Sequence, residues 1–250
     1  MSLLLLAAGL GAGALGALLG IGGGVVLVPL LTLGFGVELP VAAAVSLLCV
    51  IATSSGASAT YVRDGQADVR LGMKLEFFTV AGAVLGATLA PRLPQQALQL
   101  LFAGVCAPVV LSLARPRRVV EQEPSTWQVR NVGFGYAASL GAGALSGTLG
   151  IGGGVVKVPI MSMAMGVPFK VATATSSFTI GVTAAASLFV YWRRGLVDWV
   201  VAVPAVLGVL AGASLGAKLL PYVPTSALKK IFAAVMTLVG VEMARRGLGI

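Results

Sequence analysis

The sequence predicts an all-α protein that crosses a membrane about eight times, as two tandem repeats of four segments. Two observations carry this expectation. Apolar runs of about eighteen or more residues recur along the chain, each long enough to span a hydrocarbon core roughly 30 Å thick. Residues 10–102 also align with 140–232 without a gap, at a constant offset of 130, and about 39 of the 93 positions are identical. Composition agrees: hydrophobic types make up 58% and charged types only 10%, whereas a soluble domain carries about 25% charged residues.

The first repeat, residues 1–113, reads as segments at 3–33, 40–62, 71–90 and 95–113. The second, residues 131–250, reads as segments at 131–164, 170–192, 198–218 and 226–244. Between them lies the one polar stretch, ARPRRVVEQEPSTWQVR at 114–130, the expected cytoplasmic linker. The N-terminal run MSLLLLAAGLGAGALGALLG lacks the basic region of a signal peptide. Its pattern recurs mid-chain, so it is expected to stay in the mature protein.

The first segment of each repeat is too long for one straight crossing: residues 3–33 would make a helix of about 46 Å at roughly 1.5 Å per residue. The run GIGGG at 20–24, repeated at 150–154, lies within it. Glycine is the worst helix former after proline, so a break is expected there, followed by a short second helix.

Orientation is read from lysine and arginine. With four crossings per repeat and a cytoplasmic linker, eleven basic residues face the cytoplasm and five face outward, satisfying the positive-inside rule. Both termini are then cytoplasmic and the repeats parallel. If the short helix instead turns back as half of a hairpin, the repeats are inverted, Arg193, Arg194, Arg245 and Arg246 face outward, and charge counting separates the two arrangements only weakly.

The net charge of +9 belongs to the ends of apolar runs. No basic face is interleaved with exposed aromatics, so nucleic acid is not an expected partner; membrane lipids are. The chain has no histidine, and Cys49 and Cys106 sit inside apolar runs. No metal-ligand spacing, cofactor motif or close carboxylate pair is present, so neither a cofactor nor an enzymatic activity is expected.

The glycine pairs carry the most information. Gly22, Gly23 and Gly24, with Gly152, Gly153 and Gly154, put irregular backbone at membrane depth, which is tolerated only inside protein or beside a polar cavity. A helix starting after such a break presents free N–H groups and the positive end of its dipole, an anion site made of backbone. Two facing copies would surround one small anion. Equally, the glycines allow close helix packing. Lys157 lies three residues past Gly154, where the first repeat has Leu27. It either adds charge to the anion site or snorkels to an interface. The matched Ser46 and Ser176, and Thr175, are candidate hydroxyl donors, or bond neighbouring backbone. Glu76 is the one plausible carboxylate in the body of a segment, with a proton-coupling role as its functional reading. Asp68 and Asp198 read as helix caps. Tyr61, Tyr191, Trp192 and Trp199 read as interfacial anchors.

GIGGGVVLVPLL at 20–31 and GIGGGVVKVPIM at 150–161 are each followed by a second segment, PVAAAVSLL at 40–48 and KVATATSSF at 170–178. With these motifs the chain resembles the TauE/SafE family of sulfite exporters, over nearly its whole length. The second copy carries the family's run well, in Lys170, Val171, Ala172, Ala174, Thr175 and Ser176. The first departs, with Pro40 for the lysine and Val45 for the threonine, so a shared site is expected to be asymmetric. The resemblance implies a multi-pass permease of the bacterial inner membrane for sulfur-containing anions such as sulfite or organosulfonates. An anion channel and a non-transporting membrane subunit are the alternatives. The sequence leaves the oligomeric state open between a monomer and a homo-oligomer.

Overall fold

A computed structural model describes residues 2–114 and 129–249, so most of the 114–130 linker lies outside the described residues. Among these residues every regular element is helical. In the first repeat they are α1 (Ser2–Leu19), α2 (Gly24–Pro29, continued as a π-turn over Leu30–Gly34), α3 (Leu39–Arg63), α4 (Val69–Leu89) and α5 (Gln95–Ala114). In the second they are α6 (Val132–Leu149), α7 (Gly154–Pro159, continued over Ile160–Ala164), α8 (Phe169–Arg193), α9 (Trp199–Leu219) and α10 (Thr225–Leu248). By length and apolarity, five stretches suffice to cross a membrane: Ser2–Leu19, Leu39–Arg63, Val69–Arg92, Phe169–Arg193 and Trp199–Tyr222. The protein is an all-helical, multi-pass membrane protein.

Local chemistry sets the helix boundaries. Gly20, Gly22 and Gly23 have φ of 70°, 75° and 74°, and Gly150, Gly152 and Gly153 have 72°, 77° and 80°. Left-handed backbone of this kind ends a right-handed helix, and only glycine holds it without strain. Asp68 caps α4 by accepting from the Leu71 amide (2.9 Å), and Asp198 caps α9 by accepting from Val200 (2.9 Å).

The packing interleaves the repeats. α1 lies against α9 and α4 against α6, in both cases through glycines spaced four apart. A Cβ on Gly212 would fall 2.0 Å from the Leu10 carbonyl oxygen, and one on Gly216 2.4 Å from that of Ala14. A Cβ on Gly82 would fall 2.0 Å from the Leu140 oxygen, and one on Gly86 1.9 Å from that of Ala144. Backbones in direct contact are how helices associate in lipid, where small residues replace the missing hydrophobic drive.

These contacts also give the direction of each helix. In both pairs residue numbers rise together, so α1 is parallel to α9 and α4 to α6. α4 is likewise parallel to α8: Asp68 bonds Thr175, and Glu76 bonds Thr183. α9 turns back from α8, so α1 and α6 run in opposite directions. α5 and α10 are antiparallel, with Gly240 on Cys106 and Gly247 on Leu100. The two repeats are therefore inverted.

The expectation of parallel repeats is corrected here, and the cause is α2. Gly23 packs on Ala12. Leu27 and Leu31 reach back to join Leu5 in one core cluster. Thus α2 retraces α1, and the hairpin returns the chain to its starting side. Each repeat contributes an odd number of net crossings. The two termini lie on one side of the molecule, and the ends of α5 and α6 that the linker joins lie on the other. Both termini and the linker cannot share the cytoplasm, as four crossings per repeat required. Three contacts agree. The Arg130 amide donates to Met165 O (3.0 Å), and Lys170 Nζ to Pro221 O (3.0 Å), on the linker side. Arg194 Nη2 donates to Thr88 O (3.2 Å) on the side of the termini.

Candidate functional site

The two glycine runs meet at the centre of the molecule. A Cβ on Gly154 would lie 2.1 Å from Gly20 O, and one on Gly24 3.1 Å from Gly150 O. Gly22 and Gly152 both abut Val50, and Gly22 also abuts Ile180, the residue that matches Val50 in the repeat. The runs thus pack directly on one another, with these two aliphatic side chains beside them.

The matched serines hold this crossing together. Ser46 Oγ donates to Gly150 O (2.8 Å) and Ser176 Oγ to Gly20 O (2.7 Å). Each serine satisfies a carbonyl that the break in the opposite repeat leaves unpaired. A hydroxyl has one proton to donate, so in this conformation neither serine has a donor left for an anion. Within the first repeat, the Thr53 hydroxyl lies 3.0 Å from Gly22 O and 2.9 Å from Cys49 O, and donates to these carbonyls. Gly23 and Gly153 face their own preceding helices: Gly23 lies on Ala12, and Gly153 beside Ser146 and Thr79. Thr175 is away from the crossing, where it accepts from the Asp68 amide (2.9 Å) ahead of α4.

Lys157 neither snorkels nor points a free charge at the glycines. It is 1% exposed, and its Nζ donates to Glu76 Oε2 (2.5 Å) and Thr179 Oγ1 (2.8 Å). Glu76 is 3% exposed, and its other oxygen accepts from Thr183. The pair links α7 to α4, across the repeats. Thr183 matches Thr53; where Thr53 bonds a glycine carbonyl, Thr183 bonds the carboxylate. Three further hydroxyls, on Ser146, Thr173 and Ser177, are buried without a hydrogen-bond partner among the described residues. Buried polar atoms are seldom left so.

The Glu76–Lys157 pairing escaped sequence reasoning, yet a signal for it existed. Glu76 stands where the second repeat has Val206, and Lys157 where the first has Leu27. The unpartnered hydroxyls follow the same rule: Ser146, Thr173 and Ser177 stand opposite Gly16, Ala43 and Leu47. Positions polar in one copy and apolar in the other mark what the scaffold does not need. The tyrosine reading is corrected as well. Tyr61 and Tyr191 are buried, and their hydroxyls donate to Ala17 O (2.9 Å) and Gly147 O (3.0 Å), at the ends of α1 and α6. Trp192 and Trp199 are exposed.

Residues 5–243 match the family described as Sulfite exporter TauE/SafE. Among curated proteins, the chain is 29% identical to the probable membrane transporter protein YunE of Bacillus subtilis, over 98% of each chain. It is 28% identical to the probable membrane transporter protein YdhB of the same organism, over 84% of this chain and 87% of the other. It is 30% identical to a probable membrane transporter protein of Xylella fastidiosa, over 80% and 77%. No solved structure matches. The match over almost the whole chain places this protein in the TauE/SafE family of membrane transporters.

Proposed function

We propose that the protein is a carrier, acting as an exporter, of small sulfur-containing anions such as sulfite or organosulfonates, bound where the two glycine runs meet. The observation that carries this is the crossing itself: irregular backbone from both repeats, at membrane depth, in contact across the inversion axis. Inverted-repeat transporters bind substrate at such an interface and rock one repeat against the other. Opening the crossing would expose the amides of Gly22, Gly23, Gly24, Gly152, Gly153 and Gly154. It would also release the Ser46 and Ser176 hydroxyls from carbonyls to anion. Thr175 lies one residue before Ser176, and in this reading it positions α8 against α4. Lys157 supplies the counter-charge. The unpartnered Ser146, Thr173 and Ser177 support a polar side of the site in the second repeat. The direct packing of the runs favours a carrier over an open channel.

The chain crosses the bacterial inner membrane with α3, α4, α5, α8, α9 and α10, and the two broken segments form re-entrant hairpins. Arg63, Arg70, Lys74, Arg130, Lys170, Lys218, Lys229 and Lys230 share the linker side, with Arg115, Arg117 and Arg118 in the linker sequence. Arg92, Arg193, Arg194, Arg245 and Arg246 share the side of the termini. Eleven against five supports a cytoplasmic linker, with both termini outside in this reading.

Uptake of radiolabelled sulfite into proteoliposomes tests the reading. Saturable uptake, accelerated by sulfite on the far side and weakened by Lys157→Ala, is the expected result. No flux above protein-free vesicles from folded protein overturns the sulfite assignment.

A further inference from the structure

We propose that Glu76 is a proton-binding site and that the protein moves its anion together with one proton, a coupling that rests on the anion-carrier reading above. The scaffold does not require the Glu76–Lys157 pair. The first repeat builds the same hairpin on Leu27, and the second builds the helix equivalent to α4 on Val206. A buried ion pair is weak as a source of stability, and an ionisable residue at membrane depth is functional by default.

Nothing but Lys157 compensates Glu76 among the described residues. α6 offers Tyr136, which is stacked on Phe78 with ring centroids 4.7 Å apart. α8 offers Lys170, Tyr191 and Arg193. Lys170 is bonded to Pro221 O, Tyr191 to Gly147 O, and Arg193 lies over the Phe189 ring. Arg70 and Lys74, on α4 itself, are exposed.

Charge arithmetic then sets the coupling. The empty site holds an ammonium and a carboxylate, and is neutral. An anion entering alone would bury a net negative charge; a proton alone on Glu76 would bury a net positive one. Each is costly in a membrane interior. With the proton on the Glu76 carboxylate and a monoanion on the Lys157 ammonium, the site is neutral again. The two forms free to reorient are therefore the empty one and the doubly loaded one. The geometry provides the exchange of partners. Lys157 follows Gly153 by one helical turn, and Glu76 precedes Thr79 by one. A Cβ on Gly153 would lie 3.5 Å from Ser146 Cβ and 3.7 Å from Thr79 Cγ2. The unpartnered Ser146 hydroxyl is thus a ready donor for an anion that replaces Glu76 at Lys157. Transport is then the electroneutral movement of an acid. Its direction is set by the anion gradient and the pH difference together, so export runs where the outward anion gradient outweighs an inward proton gradient, and the membrane potential does not contribute.

The test uses the full-length protein in proteoliposomes that enclose a pH-sensitive dye, with radiolabelled sulfite added outside. Protein-free vesicles serve as the blank for protons that sulfite carries unaided. In wild type, sulfite entry acidifies the lumen beyond the blank, and clamping the potential with valinomycin and potassium leaves the rate unchanged. Glu76→Gln lowers net uptake at least tenfold, because its empty form carries an uncompensated Lys157. It continues to exchange labelled for unlabelled sulfite. The double variant Glu76→Val/Lys157→Leu copies the matched residues of the other repeat, elutes as wild type in size exclusion, and has lost both net uptake and exchange. Wild-type sulfite uptake without proton movement, or with a rate that follows the clamped potential, overturns the coupling and leaves the anion carrier standing. Both are read on wild type, so a variant that does not fold leaves the test intact. No sulfite flux at all overturns the carrier reading, and the coupling with it.

Discussion

Lys157 and Glu76 show how much a single side chain can cost when its partner is taken away. Removing one member of a buried pair leaves an uncompensated charge and costs about 3–5 kcal/mol, whereas replacing both with apolar residues is often neutral. Lys157→Leu alone is therefore expected to lower the thermal unfolding temperature in detergent markedly. Adding Glu76→Val is expected to restore it to near the wild-type value. Equal melting of the single and double variants would show that the pair bears no such charge penalty. At the same scale, Tyr191→Phe removes the hydroxyl that donates to Gly147 O and Thr148 O. It is expected to destabilise by about 1 kcal/mol, the net value of a typical hydrogen bond. The same melts report it. The sequence could not reveal this role for the tyrosine. A Tyr one residue before Trp-Arg-Arg looks interfacial. Its burial arises because the ring points back from the end of α8 to the last turn of α6, whose final carbonyls have no partner of their own. Lys157 was legible as a charge out of place, because the repeat supplies an apolar control at Leu27. Its partner was not legible, since 81 residues separate the two along the chain and only the fold joins them.

At the level of elements, the glycines divide by what faces them. A Cβ on Gly86 would come within 1.9 Å of Ala144 O, while one on Gly141 meets nothing within 4 Å. Gly86→Ala is expected to force α4 away from α6 and lower the yield of folded protein. Gly141→Ala, on the open face of α6, is expected to be neutral or to stabilise by up to about 1 kcal/mol through helix propensity. Size-exclusion profiles and melting temperatures of the two variants decide it, and a matching loss in both would remove the packing argument. The four-residue spacing of Gly82 with Gly86, and of Gly208, Gly212 and Gly216, was legible as a sticky face. Which helix each face meets was not, because a stripe of small residues specifies close approach without specifying a neighbour. The position of the chain break at Gly20–Gly23 followed from the glycine count. The direction taken after it did not, since a glycine in left-handed backbone ends a helix without saying where the next one points.

For the whole molecule, that one direction decides the topology. Because α2 folds back along α1, the repeats are inverted, and the sites joined by the linker face away from the termini. Charge counting on the sequence could not separate the two arrangements. Moving the second repeat from parallel to inverted exchanges Arg193, Arg194, Arg245 and Arg246 for Lys170, Lys218, Lys229 and Lys230, four cations for four. The contacts separate them cleanly, and the arrangement is testable in intact cells. Cys49 and Cys106 are buried, so single cysteines can be added elsewhere and probed with a membrane-impermeant thiol reagent. Gln66→Cys, in the turn between α3 and α4, and Gly249→Cys, after α10, lie on opposite sides in the inverted arrangement. In the parallel arrangement they share the cytoplasm. With the linker in the cytoplasm, Gly249→Cys and Arg194→Cys are expected to label in whole cells, while Gln66→Cys labels only after the membrane is permeabilised. Labelling of Gln66→Cys alone would keep the inverted fold and reverse its orientation. Equal labelling of Gln66→Cys and Gly249→Cys would mean that α2 does not return beside α1. The glycine runs would then have no reason to meet, and the central anion site would lose its geometric basis.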